Sequence, residues 1–258
     1  MSRACLILLL VLATTSGEAA CSRVLRVPFE HWRPYAYLDA AGKPTGLEVA
    51  LLKAIGQEAG CHIRYLQDIP RKRRLLMFRQ GEIDLLLAAS DTPERQAYAW
   101  FSLPYREEEV LPFALAGDES VRSLTSLDMV LAARLPLIVP SDGWYGARYA
   151  RLLQDFETAG LLTRYERYEQ AARLLASGRG RVVIGDRYAL RLSAREAGAQ
   201  LAEMDFVINR DPVHLMLSKR SLLPADRDAL DGAIRRLIQR GTLQAIRARY
   251  LNMAPAGH

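Results

Sequence analysis

Cysteine, histidine and lysine are scarce in this chain, and each scarcity removes a class of function. Of 258 residues, three are cysteine and four are histidine. His31, His62, His214 and His258 are scattered without metal-ligand spacing, so no metal site is expected. No Gly-rich phosphate loop and no G-x-S-x-G elbow occurs, and no cofactor is expected. Lysine is confined to Lys43, Lys53, Lys72 and Lys219, so arginine carries most of the basic charge. The formal net charge is +6, with acids and bases interspersed almost everywhere. That balance mildly favours anionic or zwitterionic ligands. The one basic block, "RKRR" from Arg71 to Arg74, lacks any accompanying stripe of aromatic and basic residues. It reads as a solvated helix face, and nucleic acid is not an expected partner.

Long apolar runs are also missing beyond the N-terminus, so no membrane span is expected. The N-terminus itself reads "MSRACLILLLVLATTSGEAAC": Arg3, an apolar run from Ala4 to Ala13, then small residues. This is the pattern of a cleavable export signal over residues 1–20, cut after Ala19 or Ala20. Cys5 leaves with it, and Cys21 and Cys61 remain. An even pair in an oxidising compartment points to a disulfide. Each cysteine lies just before an expected strand, "VLRVP" or "HIRYL", and adjacent parallel strands would bring the two together. The alternatives are two free thiols, or a lipid on Cys21. Glu18 stands against the lipid, at a position where a branched apolar residue is usual.

The length allows one large domain or two ordinary ones. Strand and helix patterns alternate. Strands are expected at 24–28, 62–66, 84–88, 110–115, 135–139, 163–167 and 181–184, with late strands at "FVI" and "HLMLS". Helices are expected at 47–59, 71–80, 145–160 and 169–177, from Asp186, and at 224–239 and 242–251. Repeated β-α-β units imply mostly parallel sheets flanked by helices. "LLMFRQGEIDLLLAAS" and "RLLASGRGRVVIGD" share one plan, which suggests two similar lobes.

Ligands of open parallel sheets bind beyond the C-terminal strand ends. Beyond the first of these two strands come Ser90 and Arg95; beyond the second comes Asp186. Thr92 before Pro93 marks a helix start, which places Arg95 in a first turn that is already partly positive. A cation there suits a ligand carboxylate, which it can grip bidentately with help from helix-end N–H groups. Asp186 then suits an amine. Plainer readings stand beside these: Arg95 paired with Glu94 or Glu107 at the surface, and Asp186 as an N-cap.

Four stretches in order resemble the extracellular solute-binding proteins of family 3, which serve polar amino-acid ABC transporters. They are "RPYAYLDAAGKPTGLEVALLKAIGQEAG", "GEIDLLLAASDTPERQAYAWFSLPY", "GRGRVVIGDRYAL" and "LIQRGTLQAIRARYL". The second is the distinctive one. The resemblance implies a two-lobe periplasmic binding protein fold of type II, with two hinge crossings and a ligand between the lobes. Lobe one would be 21–114 and 212–258, and lobe two 117–208. It implies that Arg95 holds an α-carboxylate, with Ser90 as a further donor. Ala88 would be a backbone acceptor for the amine, and Asp186 its counter-charge. Trp32 would pack on the ligand or, as a plainer reading, in the core. Arg71 falls where some members place a ligand-facing side chain.

Three departures touch ligand identity, one being the uncommon arginine cluster at 71–74. Helix one keeps only Glu48 where the family has aspartates. The loop "PSDGWYG" replaces a usual "G-T-T", so Trp144 or Tyr145 would enter the cleft or pack within the loop. The implied protein is a periplasmic monomer that binds a small polar ligand, an amino acid or related carboxylate, for an inner-membrane ABC permease. Two other roles occur on this fold: ligand sensing in trans, and cyclohexadienyl dehydratase chemistry. The second needs a general acid in the cleft. "PSDGWYG" offers only Asp142, so the protein is not expected to be an enzyme.

Overall fold

The alternating pattern becomes a strand–helix series in the computed structural model, which describes residues 21–252. The expected export signal lies outside the described residues. β1 (Leu25–Pro28), β2 (Tyr37–Leu38) and β3 (Pro44–Thr45) precede α1 (Leu47–Ala59). β4 (Ile63–Leu66), α2 (Arg71–Gln80), β5 (Leu85–Ala89), α3 (Pro93–Gln96) and β6 (Ala99–Phe101) follow. A long strand, β7 (Arg106–Leu115), leads to α4 (Leu127–Ala132), β8 (Leu137–Pro140), α5 (Ala147–Thr158) and β9 (Leu162–Tyr165). Next come α6 (Tyr168–Ala176), β10 (Val182–Asp186), α7 (Arg187–Glu196) and β11 (Leu201–Glu203). A second long strand, β12 (Asn209–Ser218), precedes α8 (Pro224–Gln239) and α9 (Thr242–Asn252).

The β-α-β units pair in parallel, as β1 with β4 and as β10 with β8 and β8 with β9. The two long strands make the sheets mixed. β7 and β12 pair antiparallel over Arg106–Val110 and Asn209–Val213. β7 then continues against β10 and β11, while β12 continues against β5 and β6. Each long strand therefore starts in one body of the molecule and ends in the other. The expected strand at 206–208 is irregular chain instead. Phe206 and Ile208 pack into the core there while Val207 is exposed, and β7 takes Leu201–Glu203 as its partner.

Two bodies of core lie on either side of the crossing. Leu25, Leu51, Ile55, Leu215, Leu217 and Ile234 join α1 and α8 to β1 and β12. Around β8 and β10 the period of two is plain. Leu137, Val139, Val182 and Ile184 face Val130 and Phe156, whereas Ile138 and Val183 face Phe113, Leu175 and Leu190. Burial on both faces is why these strands read as continuous apolar runs.

Gly46 positions the start of α1. Its φ is +116°, and a Cβ there would sit 2.3 Å from the Tyr35 carbonyl oxygen. That close approach lets the Glu48 N–H donate to the same carbonyl at 2.8 Å. At the other end Gly60 is left-handed, and the Cys61 N–H returns to the Gly56 carbonyl at 2.8 Å. The turn delivers Cys61 to the foot of β4, where it is disulfide-bonded to Cys21 with the α-carbons 4.9 Å apart. The bond uses the sulfur that a lipid would need. It closes a separation of 40 residues, and such cross-links typically contribute about 2–4 kcal/mol. Exported protein should therefore have an intact mass about two daltons below the reduced value, one per thiol hydrogen lost. A diacylglycerol adduct, or two thiols alkylated without reductant, would contradict the bond.

Candidate functional site

β5 ends at Ala89, and the chain turns at once into the single helical turn of α3. Thr92 caps that turn, its Oγ1 accepting the Arg95 N–H at 3.4 Å, with Pro93 in the first position. The half-buried Arg95 side chain folds back, and its Nη1 donates to the Ser90 carbonyl at 3.0 Å. Arg95 and Ser90 are thus brought together. The plainer surface pairing is not made. Glu94 pairs with Arg79 at 3.7 Å, and Arg95 forms no ion pair among the described residues.

Arg95 lines two adjoining cavities of about 160 and 340 Å³, whose walls share Trp32, Arg71, Ala88 and Asp142. Ser90 lines the first. Ala88 has a φ of +50° at a bulge between β5 and β12, which turns the backbone towards the space. Its N–H donates to the Tyr105 hydroxyl at 2.9 Å. Trp32 stacks on Tyr35 with centroids 4.2 Å apart, and its indole N–H is buried without a partner. Trp32 thus both packs on Tyr35 and lines the two cavities.

The opposite wall comes from the loop after β8 and from α6. Both Trp144 and Tyr145 line the smaller cavity, with Tyr165, Glu166 and Tyr168. Trp144 is 40% exposed at the rim. Tyr145 packs edge-on against Tyr149, 5.2 Å between centroids. Arg71 also lines the space, but its guanidinium is already engaged. Its Nη1 is 2.9 Å from Glu30 and its Nε is 2.7 Å from Asp142 on the far wall.

Asp186 is placed differently from the sequence expectation of an amine partner. It is 2% exposed and does not line either cavity. Its Oδ1 accepts the Tyr188 and Ala189 N–H groups at 3.0 and 2.9 Å, capping α7. Its Oδ2 accepts the Tyr35 hydroxyl at 2.7 Å. Burial pushes its pKa up, against those donors. The geometry realises the N-cap reading, with three donors on the carboxylate.

Glu108 on β7 lines the smaller cavity, together with Glu30, Asp142 and Glu166. Burial is the main influence and raises its pKa to about 7; Arg106 opposes this, and Asp186, Glu48 and Asp211 add to it. Sequence reasoning missed Glu108. It sits in "REEEV", and alternation separates Glu108 from Glu107 and Glu109 without saying which side faces a ligand.

Glu48, which lines the larger cavity, belongs to a buried ion pair. Glu48 accepts from the Arg106 Nε and, at 2.5 Å, from the Tyr105 hydroxyl. Among the described residues, no group of three or more His, Cys, Asp or Glu could hold a metal ion. No helix there is long and apolar enough to cross a membrane.

The chain that builds this cleft beside two crossing strands is similar, in sequence or in fold, to proteins of known role. The amino-acid-binding protein AabA of Dichelobacter nodosus is 26% identical over 220 residues, 83% of this chain and 81% of AabA. An amino acid ABC transporter substrate-binding protein, AbpA of Streptococcus pneumoniae bound to L-arginine, superposes with a TM-score of 0.73. The two are 20% identical, over 91% of this chain and 96% of AbpA. A histidine kinase sensor domain similar to periplasmic binding proteins also superposes, with a TM-score of 0.70 and 20% identity over 90% and 96% of the two chains. The shared architecture is the two-lobe α/β fold, on which sensing and transport proteins are both built. The sequence profile that matches residues 25–253 is more specific than the architecture, and by it the chain belongs to the bacterial extracellular solute-binding proteins of family 3.

Proposed function

We propose that this protein is the periplasmic amino-acid-binding component of an ABC transporter, working as a monomer with an inner-membrane permease. The observation that carries the reading is Arg95: half-buried in the cleft wall, and forming no ion pair among the described residues. A ligand α-carboxylate supplies that missing charge, with Ser90 and the start of α3 as further donors. Glu108 supplies the counter-charge for the ammonium, in place of Asp186. Ala88 offers its backbone, and Trp32 and Trp144 cover the ligand's apolar part. Arg71 acts on the cleft from its rim, joining Glu30 to Asp142. In this reading the lobes divide where β7 and β12 cross. Residues 111–115 bond to β10 and β11 and so go with lobe two, a few residues earlier than the boundary at 114.

A thermal-shift screen of the mature protein against amino acids and simple carboxylates tests the assignment. A cognate amino acid at 100 times its Kd should stabilise by about 2.7 kcal/mol. Silence across all amino acids would overturn the reading.

The pH dependence separates Glu108 from Asp186. An ammonium ligand needs the Glu108 carboxylate, and the group is protonated below its raised pKa of about 7. Affinity should be flat above that pH and fall by about tenfold per unit below it, because binding must then release a proton. Glu108→Gln should bind amines more weakly and lose this slope, whereas Asp186→Asn should keep it. A slope that survives Glu108→Gln would remove Glu108 from the role.

A further inference from the structure

The two faces of β7 look into different spaces. Glu108 lines the ligand cleft, while Glu107 and Glu109 line a separate cavity of about 240 Å³ on the other side of the crossing strands. Four arginines line that second space: Arg106, Arg187, Arg210 and Arg247. Against them stand only Glu107 and Glu109 in the same wall. Glu109 is shared, since it pairs with both Arg187 and Arg210. Arg187 also holds Glu203 at 3.0 Å.

The other two arginines have unused donors. The Arg106 side chain is 1% exposed; its Nε serves Glu48 and its Nη1 donates to the Glu107 carbonyl at 3.1 Å. Its Nη2 is buried and has no hydrogen-bond partner. The Arg247 Nε, on α9, is likewise buried and unpartnered, and Arg247 forms no ion pair among the described residues. A buried N–H on a charged group is costly to leave unmatched. Two such groups, on arginines that both line one cavity, call for an acceptor carrying negative charge. Tyr188, in the first turn of α7, also lines the space.

We propose that this cavity is a second binding site, for a small tetrahedral oxyanion of the inorganic phosphate or sulfate class. Several acceptor oxygens let one such ion answer donors from α9, from β7 and from the start of α7 at once. Arg247 comes from one body of the molecule and Arg187 from the other, and Arg106 lies on a strand that joins them. An ion held there braces the crossing strands from behind, so its binding is coupled to movement of the lobes.

Titration calorimetry of the mature protein with inorganic phosphate, and separately with sulfate, tests the site at constant ionic strength set with chloride. Saturable binding with one ion per chain is expected, and Arg247→Gln should weaken it at least tenfold. Arg210→Gln, at an exposed arginine, should weaken it as well and serves if the first variant folds poorly. Arg95→Ala, in the other cavity, should leave phosphate binding within twofold. Three results would overturn the proposal: no heat beyond the chloride control, unchanged binding in Arg247→Gln and Arg210→Gln, or loss of phosphate binding in Arg95→Ala. The last would mean that phosphate enters the ligand cleft.

Discussion

Arg95→Ala is expected to abolish practical ligand binding while leaving the fold intact. Among the described residues its guanidinium makes one hydrogen bond, to the Ser90 carbonyl. The helical turn that carries it is capped by Thr92 through the backbone N–H of residue 95, which alanine retains. Stability should therefore change little. Binding should lose one side of a desolvated charge pair, about 2 to 5 kcal/mol, which is roughly 30-fold to several thousand-fold in Kd. Calorimetry with the amino acid found in the thermal screen reads this directly. Arg71→Ala is the comparison. Its guanidinium is already answered by Glu30 and Asp142, with 39% of the side chain exposed. Exposed pairs contribute about 0–1 kcal/mol, so the loss should stay within about fivefold. If Arg95→Ala binds within threefold of wild type, the carboxylate is held elsewhere.

The contrast between these arginines shows what one sequence makes legible. Arg95 could be placed because local signals are unambiguous: an apolar strand, then Thr92 and Pro93 as a helix start, then a cation where the helix end disfavours one. Arg71 opens α2 as expected, but its partners Glu30 and Asp142 are 41 and 71 residues distant in sequence. No local pattern announces such pairs. Asp186 shows an ambiguity of the same origin. A carboxylate after a strand and before a helix serves equally as a cap or as a ligand group, and the Tyr35 hydroxyl, 151 residues away, decides it. Glu108 is not legible in the sequence because its place in the cavity wall depends on where β7 crosses β12, and antiparallel pairing between strands a hundred residues apart leaves no local trace. The short elements β6 and α4 were missed for a related reason. Three residues of strand and six of helix carry too few periods to register.

The largest stability effect is expected at Glu48, the lone acid that helix one retains where the family has aspartates. Its carboxylate and the Arg106 guanidinium are each 1% exposed. Placing two charges in such a site is tolerable only while both are matched. In Glu48→Ala, Arg106 would keep only its bond to the Glu107 carbonyl at 3.1 Å. The faces of Tyr35 and Trp32, 4.9 and 5.9 Å away, offer weak compensation. The Tyr105 hydroxyl would lose its acceptor as well, and that hydroxyl in turn receives the Ala88 N–H in the cleft wall. Removing one partner of a buried pair typically costs about 3 to 5 kcal/mol. Urea unfolding should show a lower midpoint at an unchanged slope. Most of the cost belongs to the charge left behind, so Glu48→Ala combined with Arg106→Met should recover a large share of it. Glu119→Ala, which breaks an exposed pair with Arg122 on the surface, should have little measurable effect. A Glu48→Ala loss as small as that of Glu119→Ala would mean that water reaches Arg106 and that the pair does not hold helix one to the crossing strand.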